Sequence, residues 1–183
     1  MSNKPTIAIL GGTGHEGTGL ALRWATSGYD VIIGSRDEEK ALTVTRELNE
    51  ILGEELIRGM ENGAAARESD INVLTVVATA HEAALKGLKD DLQGKILVDA
   101  TARIKFPNPK PPDPPSAARL AQDLLGEGVR VVAAFQNIPA SALKNLEKEM
   151  DSDVLVCADK REDAEQVEDL IRGAGMNAYY VGN

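Results

Sequence analysis

Short, unbroken apolar runs recur along the chain, and stretches with apolar residues three and four positions apart lie between them. TIAIL (6–10), DVIIG (30–34), INVLTVV (71–77), KILVDA (95–100), VRVVAAF (129–135) and DVLVCA (153–158) read as strands; LIRGM (56–60) is a weaker one and NAYYVG (177–182) a last short one. Strands without polar alternation belong to a parallel sheet covered by helices on both faces. The intervening stretches predict helices over 18–27, 37–52, 62–68, 81–92, 116–125, 140–150 and 162–173. Asp37 is placed to cap the second of these, with Glu38 and Glu39 in its first turn. TARIKFPNPKPPDPP (101–115) reads as loop on its proline content. The order predicts a single doubly wound α/β domain over residues 1–183, with a mostly parallel sheet. In that architecture ligands sit beyond the carboxyl ends of the strands, where strand order reverses.

Composition narrows the function. The chain has 183 residues, 43% of them hydrophobic, enough for one domain with its own core. No run of about 18 apolar residues predicts a membrane span, and MSNKPTIAIL does not read as a signal peptide. Cys157 is the only cysteine, so no internal disulfide can form; the reading is a core position in a protein of the reducing cytoplasm. A net charge of −9 argues against a nucleic-acid partner, which selects for a basic stripe.

The chemistry begins at residue 12. Gly12-Thr13-Gly14-His15-Glu16-Gly17 is G-x-G-x-x-G, directly after a strand and directly before a helix. That context makes it a dinucleotide-binding signature of the Rossmann type. Gly12 permits the turn, Gly14 leaves room for a pyrophosphate, and Gly17 lets helix and strand approach. The helix N-terminus then offers free N–H groups and the positive end of its dipole to the anion. An NAD site places a carboxylate at the end of the second strand. Here that place reads Gly34-Ser35-Arg36, with Lys40 one helical turn on. A hydroxyl, a guanidinium and an ammonium attract a 2′-phosphate, so NADP(H) is favoured over NAD(H).

No nucleophile elbow, C-x-x-C or H-E-x-x-H occurs, so neither a catalytic acid–base set nor a metal site is expected. His15 is in a position to approach the phosphates. Val77, Ala78, Thr79 and His81 follow a strand end and are candidates for the nicotinamide side; His81 reads equally well as the start of a helix. Little chain remains after residue 150 for a separate substrate domain. A flat second substrate stacked on the nicotinamide would suit such a protein, because hydride transfer between stacked rings needs proximity and orientation only.

LGGTGHEGTGLALRWATSGYDVIIGSRDEEKA resembles the N-terminus of the NADPH-dependent reductases of the deazaflavin coenzyme F420, and the likeness continues through INVLTVV, VVAAFQNIPASAL and DVLVCADKREDAEQV. The resemblance implies a 2′-phosphate held by Thr13, Ser35, Arg36 and Lys40. It implies F420 as co-substrate over the nicotinamide, lined by Gln136, Asn137, Ile138 and Pro139, and it implies a homodimer. Gln136 stands where the family often has a histidine, and members continue past the last strand into a helix that this chain, ending at Asn183, lacks. The anionic tail of F420 calls for cations, and Arg103, Lys105 and Lys110 are the candidates. Two other readings stay open: a non-catalytic NADP(H) sensor, and an NADPH-dependent reductase of another flat acceptor such as a flavin.

Overall fold

A computed structural model describes residues 4–104, 107, 110, 113–148 and 150–183. The chain runs β1 (Ile7–Leu10), α1 (His15–Thr26), β2 (Val31–Ser35), α2 (Glu38–Leu52), β3 (Ile57–Glu61), α3 (Asn62–Glu68), β4 (Ile71–Leu74) and α4 (His81–Leu88). It continues through β5 (Ile96–Asp99), α5 (Ala117–Leu125), β6 (Arg130–Ala133), α6 (Ala140–Leu143), β7 (Asp153–Ala158), α7 (Arg161–Gly173) and β8 (Asn177–Gly182). Among the described residues eight strands form one sheet in the order β3-β2-β1-β4-β5-β6-β7-β8. Pairing is parallel from β3 to β6, and the strand order reverses between β1 and β4. This is the Rossmann-type, doubly wound arrangement expected from the apolar runs.

Both faces of the sheet are covered. Ile7, Ile9, Val31, Ile33, Val73 and Val98 pack against Leu20 and Trp24 of α1 and Val167 and Ile171 of α7. Their neighbours in sequence, Ala8, Leu10, Ile32, Leu74 and Leu97, pack against α3, α4 and α5 on the other side. Successive strand residues point to opposite faces, so burial on both faces needs the uninterrupted apolar runs seen in the sequence.

The irregular parts differ from the sequence reading. The first helix starts at His15, not at residue 18, because Gly14 itself is its N-cap. The strand expected over 71–77 ends at Leu74. Its neighbours end level with it, at Leu10 and Asp99, so the apolar residues that follow leave the sheet, and Val77 is 70% exposed. The fourth helix stops at Leu88, not 92, and β6 covers 130–133 rather than 129–135. The helix expected over 140–150 is only Ala140–Leu143. Without a full crossover helix the chain stays at the carboxyl end of β6, where Asn137 Nδ2 donates to the Asp153 carbonyl (2.7 Å). Strand β7 therefore runs back antiparallel to β6, pairing Val132 with Ala158 and Ala133 with Cys157.

Candidate functional site

The glycine loop is tied by backbone hydrogen bonds to two strands and by one side chain to α3. Gly12 N donates to the carbonyls of Ile9 (3.1 Å) and Gly34 (3.0 Å), which ties the loop to the end of β2. Gly11 N donates to Asn62 Oδ1 (3.0 Å), so the first residue of α3 anchors the loop from outside. Thr75 N donates to the Leu10 carbonyl (3.1 Å), and Ala100 N to the Leu74 carbonyl (3.1 Å). The carboxyl ends of β2, β1, β4 and β5 are thus linked in sequence around one crevice.

Inside the loop, a Cβ on Gly17 would lie 2.5 Å from Gly12 Cα, so the helix and the turn touch backbone to backbone. A Cβ on Gly14 would meet nothing within 4 Å, so the mouth of the loop is open. Thr13 is half-buried and His15 exposed on its rim. Glu16 stands in the first turn of α1, where burial pushes its carboxyl up to about 7. A carboxyl that loses hydration without gaining a donor keeps its proton.

At the end of β2, Ser35 is buried and its Oγ accepts from Asp37 N (3.2 Å). Asp37 Oδ1 in turn accepts from Lys40 N (3.3 Å), which caps α2. The Asp37 carboxylate is therefore committed to the helix terminus. Arg36 and Lys40 are exposed, and among the described residues neither side chain has an ion-pair partner. Arg36 directly follows the strand whose Gly34 carbonyl holds the glycine loop, and Lys40 stands in the first turn of α2.

On the other side of the crevice, Val77, Ala78 and Thr79 are exposed beyond β4. His81 is not: it is 4% exposed, and its Nε2 lies 2.7 Å from Asp99 Oδ2, itself fully buried. His81 is the first residue of α4 and its imidazole is buried, so of its two readings the structure has the helix start and not a group facing the nicotinamide. Asp99 is a hub that the sequence analysis did not single out. Its Oδ1 accepts from Thr101 N (2.9 Å) and its carbonyl from Gln136 Nε2 (2.6 Å). The signal available in the sequence was a lone acid closing an apolar strand, KILVD.

Gln136, Asn137 and Pro139 are exposed and Ile138 is buried. Both amides in this group are anchored to main chain, Gln136 on Asp99 and Asn137 on Asp153. The segment is entered through Phe135, which is buried with φ +75°, a left-handed conformation rare for a bulky residue. The ring of Trp24 holds it edge-on at 5.9 Å.

A cleft of about 540 Å³ borders Gln136. Thr101, Ile104, Ala117, Ala133 and Cys157 line it. Ala133 and Cys157 are paired opposite each other, so their side chains share a face, and Val131, two residues before Ala133, packs with the α5 side of the sheet. The cleft is therefore on the α5 face, opposite α1. Cys157 is half-buried at its wall rather than in the core. Arg103 donates to the carbonyls of Asp113 and Pro115 and so braces its own loop instead of standing free. Lys110 is exposed, and Lys105 lies outside the described residues.

Comparison with known proteins gives a consistent picture. Residues 6–103 match the family model described as NADP oxidoreductase, coenzyme F420-dependent. The F420-dependent NADP reductase of Methanothermobacter marburgensis is 40% identical over 167 residues, which is 85% of this chain and 74% of that protein. That of Methanocaldococcus jannaschii is 39% identical, covering 97% and 83%. Among solved structures, a pyrroline-5-carboxylate reductase from Coxiella burnetii superposes with a TM-score of 0.71 at 20% identity, over 99% of this chain and 60% of that one, a likeness of fold alone.

Proposed function

The chain belongs to the family of coenzyme F420-dependent NADP oxidoreductases, and from that premise we infer that it moves a hydride between NADP(H) and the deazaflavin F420. One observation carries the nucleotide half. The glycine loop is bonded to the end of β2, so the N-terminus of α1 and the unpaired Arg36 and Lys40 face the same crevice. The α1 amides would take the diphosphate, and Gly14 leaves them open to it. Arg36 and Lys40, with Thr13 and Ser35, would take the 2′-phosphate. Val77, Ala78 and Thr79 would border the nicotinamide.

The acceptor half rests on the order of strand ends. Gln136 to Pro139 follow β6 and are tied through Asp99 to β5, beside the loop after β4. A deazaflavin laid there would stack on the nicotinamide, which supplies the hydride; one proton from water completes the reduced acceptor. The protein's contribution is orientation and exclusion of water. Lys110, exposed in the loop after β5, is the candidate to steer the anionic tail of F420, since Arg103 is engaged by its own loop. We place the protein in the cytoplasm as a homodimer of single-domain chains. Its one cysteine is unpaired, and among the described residues no helix is long and apolar enough to cross a membrane.

Mixing the protein with NADPH and oxidised F420 tests this. Loss of the visible absorbance of the deazaflavin is expected. Tight NADPH binding without that loss would favour the sensor reading, and turnover with a flavin alone would favour another acceptor.

A further inference from the structure

We propose that Arg23, which no part of the nucleotide or acceptor site contains, is the positioning residue that fixes the acceptor loop against the dinucleotide helix. The proposal rests on the reading of Gln136–Pro139 as the acceptor side.

Arg23 lies in the last turn of α1 and is 7% exposed. A buried guanidinium normally faces a carboxylate. Among the described residues this one faces none: all its side-chain partners there are main-chain carbonyls of a single segment. Nε donates to Leu143 (2.9 Å), and Nη2 to Asn145 (2.9 Å), with longer approaches to Ala142 and Lys148 (each 3.4 Å). Burial lowers its pKa below the ordinary guanidinium range.

These carbonyls belong to the end of α6 and the turns after it. Helix α6 has four residues, and Pro139 at its N-cap provides no side-chain hydrogen bond. A single turn is not stable by itself, because nucleation fixes several residues for one hydrogen bond. Its last carbonyls need outside donors. A planar guanidinium with its fork of N–H groups can serve several at once; an ammonium on a flexible stem cannot match that geometry. The sequence reading expected helix to continue to residue 150, and the guanidinium stands where the continuing helix would have satisfied those carbonyls.

Two further contacts aim the clamp at the site. A Cβ on Gly19 would lie 2.5 Å from Leu143 Cβ, so α1 and α6 are in close contact one helical turn before Arg23. The adjacent Trp24 packs on Phe135, at the other end of the acceptor loop. Helix α1 starts at the glycine loop. One rigid helix thus carries the diphosphate site at its N-terminus and grips both ends of residues 135–148 along its length. The seat of the acceptor loop against the dinucleotide helix is thereby fixed through Arg23.

The test compares wild type with Arg23→Lys, Arg23→Met and Gly19→Ala. Amide hydrogen exchange is measured with and without NADPH, and steady-state turnover with NADPH and F420. Exchange within 137–148 is expected to speed up at least about tenfold while the amides of β1 and β4 keep their protection. The KM for F420 is expected to rise about tenfold or more, with kcat changed less and the Kd for NADPH unchanged. Arg23→Lys should fall between wild type and Arg23→Met. Unchanged exchange in 137–148 in the folded variants overturns the proposal. So does a loss of NADPH affinity in step with acceptor KM, which would mark Arg23 as a general stabiliser. If wild type itself does not reduce F420, the functional reading fails, while the exchange data still decide whether the clamp exists.

Discussion

The two halves of the crevice are held in different ways. On the nucleotide side, most of the features are short-range, a turn between adjacent elements, a helix N-terminus and the Asp37 cap of α2, with Gly34 and Asn62 tying the turn from further along the chain. On the side proposed for the acceptor almost every constraint comes from far away in sequence. Gln136 is held by Asp99, Asn137 by Asp153, Phe135 by Trp24, and the turns after α6 by Arg23. The nucleotide half is thus a local motif, while the acceptor half is irregular chain braced by the fold around it. Such chain can change its ligand by moving one brace, whereas the glycine loop has no comparable freedom.

The largest expected effect breaks the acceptor brace at its aromatic end. Trp24 is fully buried, and its Nε1 donates to the Leu170 carbonyl (2.9 Å). Trp24→Ala should lower unfolding free energy by about 3–5 kcal/mol in urea titrations. Next, Arg36→Asp replaces a donor with a repulsive charge. NADPH affinity should fall about 100-fold or more, equivalent to about 2.7 kcal/mol, with NADH changed by no more than about threefold, in calorimetric titrations. Equal losses for both coenzymes would remove the 2′-phosphate assignment. His81→Asn removes the partner of a fully buried oxygen on Asp99, and about 1–3 kcal/mol of stability should go with it.

The smallest effect is a pH dependence at Glu16. Its folded-state pKa, about 7, is above the 4.5 of an ordinary carboxyl. The folded protein therefore binds this proton more tightly than the unfolded chain. That contribution to stability is complete below the unfolded value and is lost as pH rises through about 7. The same ionisation puts a negative charge beside the diphosphate loop, so NADPH affinity should weaken about fivefold from pH 6 to pH 8. Glu16→Gln should flatten the profile.

These two kinds of support explain what the sequence revealed. The apolar runs disclosed the sheet because strands buried on both faces leave a pattern in consecutive residues. Gly12, Gly14, Gly17, Ser35, Arg36 and Lys40 were legible because their spacing is itself the local geometry. The end of α6 was not legible. Residues 140–150 have helical composition, and nothing nearby reveals that a guanidinium more than a hundred residues earlier takes their carbonyls. His81 stood between two readings, helix start and ligand group, for the same reason. Its position after a strand end suggested a ligand group, and only the fold brings Asp99 to its ring. The antiparallel turn of β7 follows from the shortened α6 and was hidden with it.

The central claim is that a hydride passes directly between two rings stacked beyond the carboxyl ends of β4 and β6, without a catalytic acid or base from the chain. NADPH carrying deuterium at C4 of the nicotinamide, in each stereochemical form, tests it most directly. Mass spectrometry of the reduced F420 should find the label retained from one form and absent with the other. Label washed out into solvent with both forms would contradict the account.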